Sequence, residues 1–285
     1  MKIAITGASG FLGRYVLRLL IKDGFDVVAV TRSRASLAEY ESSCSIVELD
    51  IFNSFDEPCY KILGEPDILL HLAWDNISNY MCLSHFETQL PMHYRFIKSL
   101  VEDGLGSVCV AGSCFEYGGL VGQVSEDMVG KPSTSYGYAK DSLRQQLKLL
   151  QFEKGIDFKL TWMRVFYLYG EEQPGNTIFS QIRSAVENKK LAFDMSGGEQ
   201  LLDYMQATHA AELIFKLSIL NENIGIVNVC SGKPISLRSL VEGWIEEYKW
   251  NIELNLGFYP YRKAETMALW GDKKYLDTVL RLRRR

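Results

Sequence analysis

The 285-residue chain has no CxxC pair and no cysteine spacing of a metal site; Cys44, Cys59, Cys82, Cys109, Cys114 and Cys230 are scattered, several inside apolar runs. Cysteines so placed behave as small buried hydrophobes, so reduced thiols are expected, with neither a disulfide framework nor a bound metal. No apolar run approaches the ~20 residues that span a bilayer, and no membrane partner is expected. Nor does one charge dominate. Thirty-one basic and 35 acidic residues leave a net charge of −4, which makes no global electrostatic case for nucleic acid or an anionic membrane. The local exception, Arg281, Arg283, Arg284 and Arg285, reads as a solvated helix end. No secretory leader is expected either, because the first residues already have core-strand character; a cytoplasmic location is expected.

With 47% hydrophobic residues, a chain of this length buries a sizeable core and suits one large α/β unit with a smaller appended lobe. It is organised around one junction. The apolar run Lys2–Thr6 leads into Gly7-Ala8-Ser9-Gly10-Phe11-Leu12-Gly13, and residues 14–20 follow with apolar side chains at helical spacing. In a strand–turn–helix the first glycine permits a sharp turn, the second lets a pyrophosphate approach bare backbone, and the third lets helix and strand pack closely. The phosphate then meets free N–H groups at a helix N-terminus. A second apolar strand near Asp26–Val30 completes the βαβ unit that such a motif requires.

Further strand-like runs at Val27–Thr31, Ser45–Glu48, Ile68–Leu72 and Val108–Ala111, with helical patterns between them such as Met92–Glu102, predict a parallel, doubly wound sheet. Ligands of such sheets bind at the carboxyl ends of the strands. After the second strand stands Arg32, where an NAD-specific protein usually carries an acidic residue; arginine suits a 2′-phosphate and implies NADPH, with NAD the weaker expectation. Asp50 and Ile51 follow the third strand, where Asp50 either meets the adenine edge or caps a helix. His71-Leu72-Ala73-Trp74 ends the fourth. Ala73 allows close approach to the cofactor, and His71 reads as a core histidine. The fifth runs into Gly112-Ser113-Cys114-Phe115-Glu116-Tyr117-Gly118. Tyr136 and Lys140, four residues apart, project from one face of a helix. An ammonium beside a phenol lowers its pKa, so that phenol and phenolate exchange a proton with a carbonyl or alcohol; Ser113, at a strand end, is placed to bond the same oxygen.

These segments resemble the extended short-chain dehydrogenase/reductase family, in particular its nucleotide-sugar epimerases, dehydratases and 4-ketoreductases. Gly7–Gly13 is similar to its TGxxGxxG, His71–Trp74 to its HLAA-like loop, Gly112–Gly118 to its SSxxVYG segment, and Tyr136/Lys140 to its YxxxK. The resemblance implies a Rossmann-type doubly wound sheet spanning 1–169 plus 203–229, and a smaller substrate lobe from 170–202 plus 230–285. It implies that Ser113, Tyr136 and Lys140 are catalytic. On the cofactor side it places Gly7, Gly10, Phe11, Leu12, Gly13, Arg32, Asp50, Ile51, Leu72, Ala73, Trp74, Tyr136, Lys140 and Phe166. On the substrate side it places Cys114, Phe115, Glu116, Tyr167 and Arg262. Segments 112–118, 163–170 and 258–262 look like the branch that reduces 4-keto-6-deoxyhexoses linked to a nucleotide diphosphate, using NADPH. The competing expectations are a 4-epimerase that keeps NAD bound and a non-catalytic dinucleotide binder. Dehydration is disfavoured, because Cys114-Phe115-Glu116 lacks the Asp-Glu pair it requires.

The chain departs from the family pattern at Leu202-Asp203-Tyr204, where an arginine that clamps the diphosphate is absent, and at Tyr167, which stands in place of an asparagine. Arg262 is either a bidentate phosphate contact from the lobe or a solvated arginine. A homodimer through helices like Met92–Glu102 and Tyr138–Phe152 is implied; the stripe Leu143, Leu147, Leu150 suits that use or packing on the sheet.

Overall fold

The computed structural model describes residues 1–53, 58–173, 175, 177–261 and 266–282. Its first part runs β1 (Lys2–Thr6), α1 (Phe11–Lys22), β2 (Asp26–Thr31), β3 (Ser45–Glu48), α2 (Cys59–Ile62), β4 (Ile68–His71), α3 (Leu90–Glu102) and β5 (Ser107–Ser113). There follow β6 (Gly122–Val124), α4 (Ser135–Leu150), β7 (Lys159–Val165), β8 (Tyr167–Tyr169), α5 (Ile178–Glu187), β9 (Ala192–Asp194), β10 (Leu201–Leu202) and β11 (Tyr204–Gln206). The last part holds α6 (Ala207–Ile219), β12 (Gly225–Val229), β13 (Ile235–Ser236), α7 (Leu237–Glu247), β14 (Glu253–Asn255), β15 (Ala268–Gly271) and α8 (Lys274–Leu282).

Seven strands form one parallel sheet in the order β3-β2-β1-β4-β5-β7-β12. The expected doubly wound, Rossmann-like fold is therefore present. Both faces of such a sheet are covered by helices, so its strands are apolar throughout rather than alternating; Ile3, Ala4, Ile5, Ile68, Leu69 and Leu70 are all fully buried. On one face α1 and α6 pack with Val16, Leu17, Ile214 and Leu217. On the other α3 and α4 contribute Phe96, Ile97, Leu143 and Leu147. The stripe Leu143, Leu147, Leu150 is buried against the sheet, so it is not available to a second copy.

The order in which strands are added reverses between β1 and β4, where the sheet opens a crevice at the strands' carboxyl ends. The Gly7–Gly13 turn lies at its mouth. Gly7 takes φ +70°, and a Cβ there would sit 2.7 Å from the Ala73 amide nitrogen; a Cβ on Gly13 would overlap the Gly7 carbonyl oxygen. Two of the three glycines are thus required by space alone.

The lobe has its own core of Phe179, Ile182, Trp244 and Ile252. A small cluster of Cys114, Tyr117, Val124, Phe166, Leu202, Cys230 and Leu269 joins it to the main sheet. Two elements pack across the expected lobe boundaries. β6, from the N-terminal half, pairs with β15 in a four-stranded sheet ordered β13-β10-β15-β6. α8 leaves the lobe and buries Leu276 and Val279 in the core of the main sheet, with the Tyr275 hydroxyl donating to the Ile224 carbonyl at 2.9 Å. Amphipathic α8 covers the edge strand β12, and this apolar surface outweighs sequence continuity with the lobe.

Candidate active site

Thr134 caps α4 by accepting from the Gly137 amide, a side-chain cap that fixes where the helix starts. Tyr136 and Lys140 therefore lie in its first turns, on one face. The end of β5 brings Ser113 to the same place, where its side chain favours the ionised form of Tyr136. The tyrosine ring sits among Trp74 and Tyr80, each with centroids at 6.0 Å, His85 at 5.4 Å and Phe115 at 6.0 Å. Burial pushes the phenol well above its ordinary pKa, with the Ser113 side chain opposing. Burial, rather than the neighbouring ammonium, sets the direction of this shift. At neutral pH Tyr136 carries its proton.

Lys140 is buried. Its Nζ donates to the Ala111 carbonyl at 2.8 Å and lies 4.0 Å above the Trp74 ring, against 5.9 Å from that of Tyr136. Burial lowers its pKa to about 7, against the pull of the Glu116 carboxylate.

Glu116 does not face the substrate side as expected. Fully buried, it accepts from the Ser113 amide at 2.7 Å, from Trp162 Nε1 at 2.9 Å and from Arg164 Nε at 2.7 Å. With the Ser113 hydroxyl accepting from the Phe115 amide, it closes a capping box around the turn after β5. That spacing, Ser113-x-x-Glu116, is a sequence signal for the inward role. A Cβ on Gly112 would overlap the Trp162 indole nitrogen, so glycine there makes room for the anchor. Trp162 and Arg164, both absent from the sequence-derived set, hold the serine from beneath. Cys114 and Phe166, expected at substrate and cofactor, are buried in the cluster between sheet and lobe; their side chains brace the floor. Phe115 and Tyr167 are half-buried with rings 6.0 Å apart, and Tyr167 continues onto Tyr204 at 5.3 Å.

On the cofactor side, Gly7, Gly10, Phe11, Leu12 and Gly13 surround the start of α1, which no side chain caps among the described residues. Its amides point into the crevice at the positive end of the helix, with Leu72 and Ala73 opposite, and this cradle fits the pyrophosphate of a dinucleotide. Asp50 accepts from the Phe52 amide at 3.1 Å and Ile51 is buried in the core, so the local turn accounts for both. Arg32 meets Asp75 in a bidentate pair at 2.6 and 3.0 Å. The Asp75 backbone is in turn gripped at both ends by Gln89. His71 is a core histidine, as read: Nδ1 bonds Thr6 and Nε2 bonds His93, each at 2.8 Å. Arg262 lies outside the described residues. Asp203, in the segment lacking the clamp arginine, accepts from the Ser231, Gly232 and Gly271 amides and so ties the loop after β12 to the end of β15. No group of three or more potential metal ligands occurs among the described residues, and no helix there is long and apolar enough to cross a membrane.

Residues 3–230 match the model of the NAD dependent epimerase/dehydratase family. The chain is 34% identical over 274 residues to a dTDP-6-deoxy-L-talose 4-dehydrogenase (NAD(+)) of Aggregatibacter actinomycetemcomitans, covering 96% of this chain and all of that one. It is 22% identical to a CDP-abequose synthase of Salmonella muenchen, over 98% and 91% of the two chains. Its fold matches that of a Bacillus cereus UDP-glucuronic acid 4-epimerase solved with UDP-glucuronic acid and NAD, with TM-score 0.84, 21% identity and coverage of 99% and 93%.

Proposed function

The chain belongs to the NAD dependent epimerase/dehydratase family, and on that premise we propose that it is a nucleotide-sugar oxidoreductase acting at C4: it reduces the 4-ketone of a nucleotide-linked 4-keto-6-deoxyhexose. The observation that carries this reading is the meeting of Ser113, Tyr136 and Lys140 at the carboxyl ends of β4 and β5. A nicotinamide dinucleotide held in the cradle of Gly7, Gly10 and Gly13 would supply the hydride. Tyr136 holds a proton at neutral pH and gives it to the C4 oxygen, which is an acid's role and matches the reductive direction. Ser113 orients that oxygen; Lys140 supports Tyr136. The relative named as a 4-dehydrogenase makes and breaks the same C–H bond seen from the alcohol.

For the cofactor, the reading moves from NADPH to NAD(H). Arg32, which suggested a 2′-phosphate, is already occupied by Asp75, and the relative at 34% identity is named for NAD(+).

The test follows absorbance at 340 nm with NADH and NADPH against dTDP-, GDP-, CDP- and UDP-linked 4-keto-6-deoxyhexoses. Rapid NADH oxidation with one of them is expected. Tyr136→Phe should lower kcat by about 10²-fold or more, the usual scale of general acid catalysis, while cofactor binding persists. NAD that copurifies, with 4-epimers interconverted and no net oxidation, would replace this reading by epimerisation.

A further inference from the structure

Trp74 makes contacts that a residue merely lining a cofactor site does not need. Its ring stacks on His93 with centroids 4.3 Å apart and planes 6° from parallel. Its Nε1 donates to His85 Nδ1 at 3.1 Å, and the other ring nitrogen of His85 bonds the Asn79 carbonyl at 2.9 Å. His93 is itself fixed by His71, which Thr6 holds. The indole can neither slide nor turn, and it meets the edge of Tyr136. Over its face sits the Lys140 ammonium at 4.0 Å.

We propose that Trp74 is a positioning residue: its histidine-locked indole face is the seat that fixes the Lys140 ammonium beside Tyr136. This deepens the catalytic reading above and rests on it for its kinetic consequence, though the seat can be tested without any substrate.

An ammonium over a desolvated indole face is held by the negative face of the ring's quadrupole. That matters for a lysine which burial leaves with a pKa of about 7. The other groups around Lys140 divide by sign. Glu116 favours its charge, while His71, on β4, and His93, on α3, would oppose it if protonated; burial keeps both neutral. Tyr136, one turn earlier on α4, is protonated and neutral, and the Ala111 carbonyl accepts from the ammonium. Among these neighbours Trp74 alone offers a π face at 4.0 Å.

The experiment follows the ¹³Cε resonance of Lys140 in ¹³C-lysine-labelled protein, assigned by its absence in Lys140→Met. The expected midpoint lies near 7. It should fall by about one pH unit in Trp74→Leu, which removes the π face but keeps an apolar side chain, and return most of the way in Trp74→Phe. Removing the seat favours the neutral amine, so the alkaline limb of the kcat/KM profile should move to lower pH in Trp74→Leu. About a tenfold loss at pH 7.5 is expected, largely restored by Phe. An unchanged midpoint in Trp74→Leu, or a Phe variant no better than Leu, overturns the proposal. If the protein reduces no keto-sugar yet the midpoint shifts as stated, the catalytic reading has failed and the seat stands. Should the Trp74 variants not fold, the wild-type indole N–H resonance bonded to His85 serves instead. It should titrate with the Lys140 midpoint and cease to do so in Lys140→Met; an indole indifferent to Lys140 overturns the proposal equally.

Discussion

Glu116 and Arg164 form a charge pair with 0% and 1% side-chain exposure, and Ser113 owes its backbone position to that carboxylate. Removing one partner of a buried pair leaves the other uncompensated and costs about 3–5 kcal/mol, whereas replacing both costs far less. Glu116→Gln is therefore expected to lower the melting temperature by roughly 6 °C or more, and Glu116→Gln with Arg164→Met to recover part of it. Thermal unfolding followed by circular dichroism reads both; equal melting temperatures for wild type and Glu116→Gln would show that the pair does not hold the turn. The same residue shows where reading a sequence falls short. Ser113, Tyr136 and Lys140 were legible because a strand end and an i, i+4 pair are local patterns. The direction of Glu116 was not, since it depends on Trp162 and Arg164 arriving from a strand far along the chain. The capping-box spacing was visible, but the functional segment around it drew the glutamate to the substrate side.

At the scale of elements, the β1–turn–α1 junction was readable for the same reason: its glycines answer to clashes inside a few residues. The pairing of Arg32 with Asp75 answers to nothing local. It joins the segment after β2 to the segment after β4, strands that flank β1 on opposite sides, and so an arginine read alone pointed to a 2′-phosphate. Both side chains are largely exposed, so the pair itself contributes little stability; its effect is on which ligand the guanidinium can meet. Asp75→Asn should free Arg32 and raise NADPH affinity about tenfold while leaving NADH affinity within about twofold, since a charge-assisted bidentate contact is worth on that order. Fluorescence titration with the two cofactors measures this, and an unchanged ratio of affinities would mean that Asp75 does not govern the choice.

For the whole molecule, the buried histidines set the response to acid. His71 is held neutral down to about pH 3 by burial and by Lys140, and His93 is lowered by burial, His71 and Lys140. An unfolded chain protonates both near pH 6.5. Below that pH the unfolded state binds more protons, so stability falls as pH drops from 6.5 toward 3 and is flat in this contribution above it. The slope approaches about 1.4 kcal/mol per pH unit for each histidine. Calorimetry at pH 7.5 and 5.5 should show the drop, and His93→Phe should reduce it; the same drop in that variant would place the acid sensitivity elsewhere.

The strand β6 carries a consequence for synthesis on the ribosome. Among the described residues its only strand partner is β15, and the edge of β7 that β12 covers stays open until Gly225–Val229 has emerged. A nascent chain thus displays a bare apolar strand edge and an unpaired lobe strand through most of translation, the kind of surface that aggregates or recruits chaperones. Expression of the first two thirds as a separate fragment would yield an incomplete sheet rather than a domain, because the last strands to be made close the first structure begun.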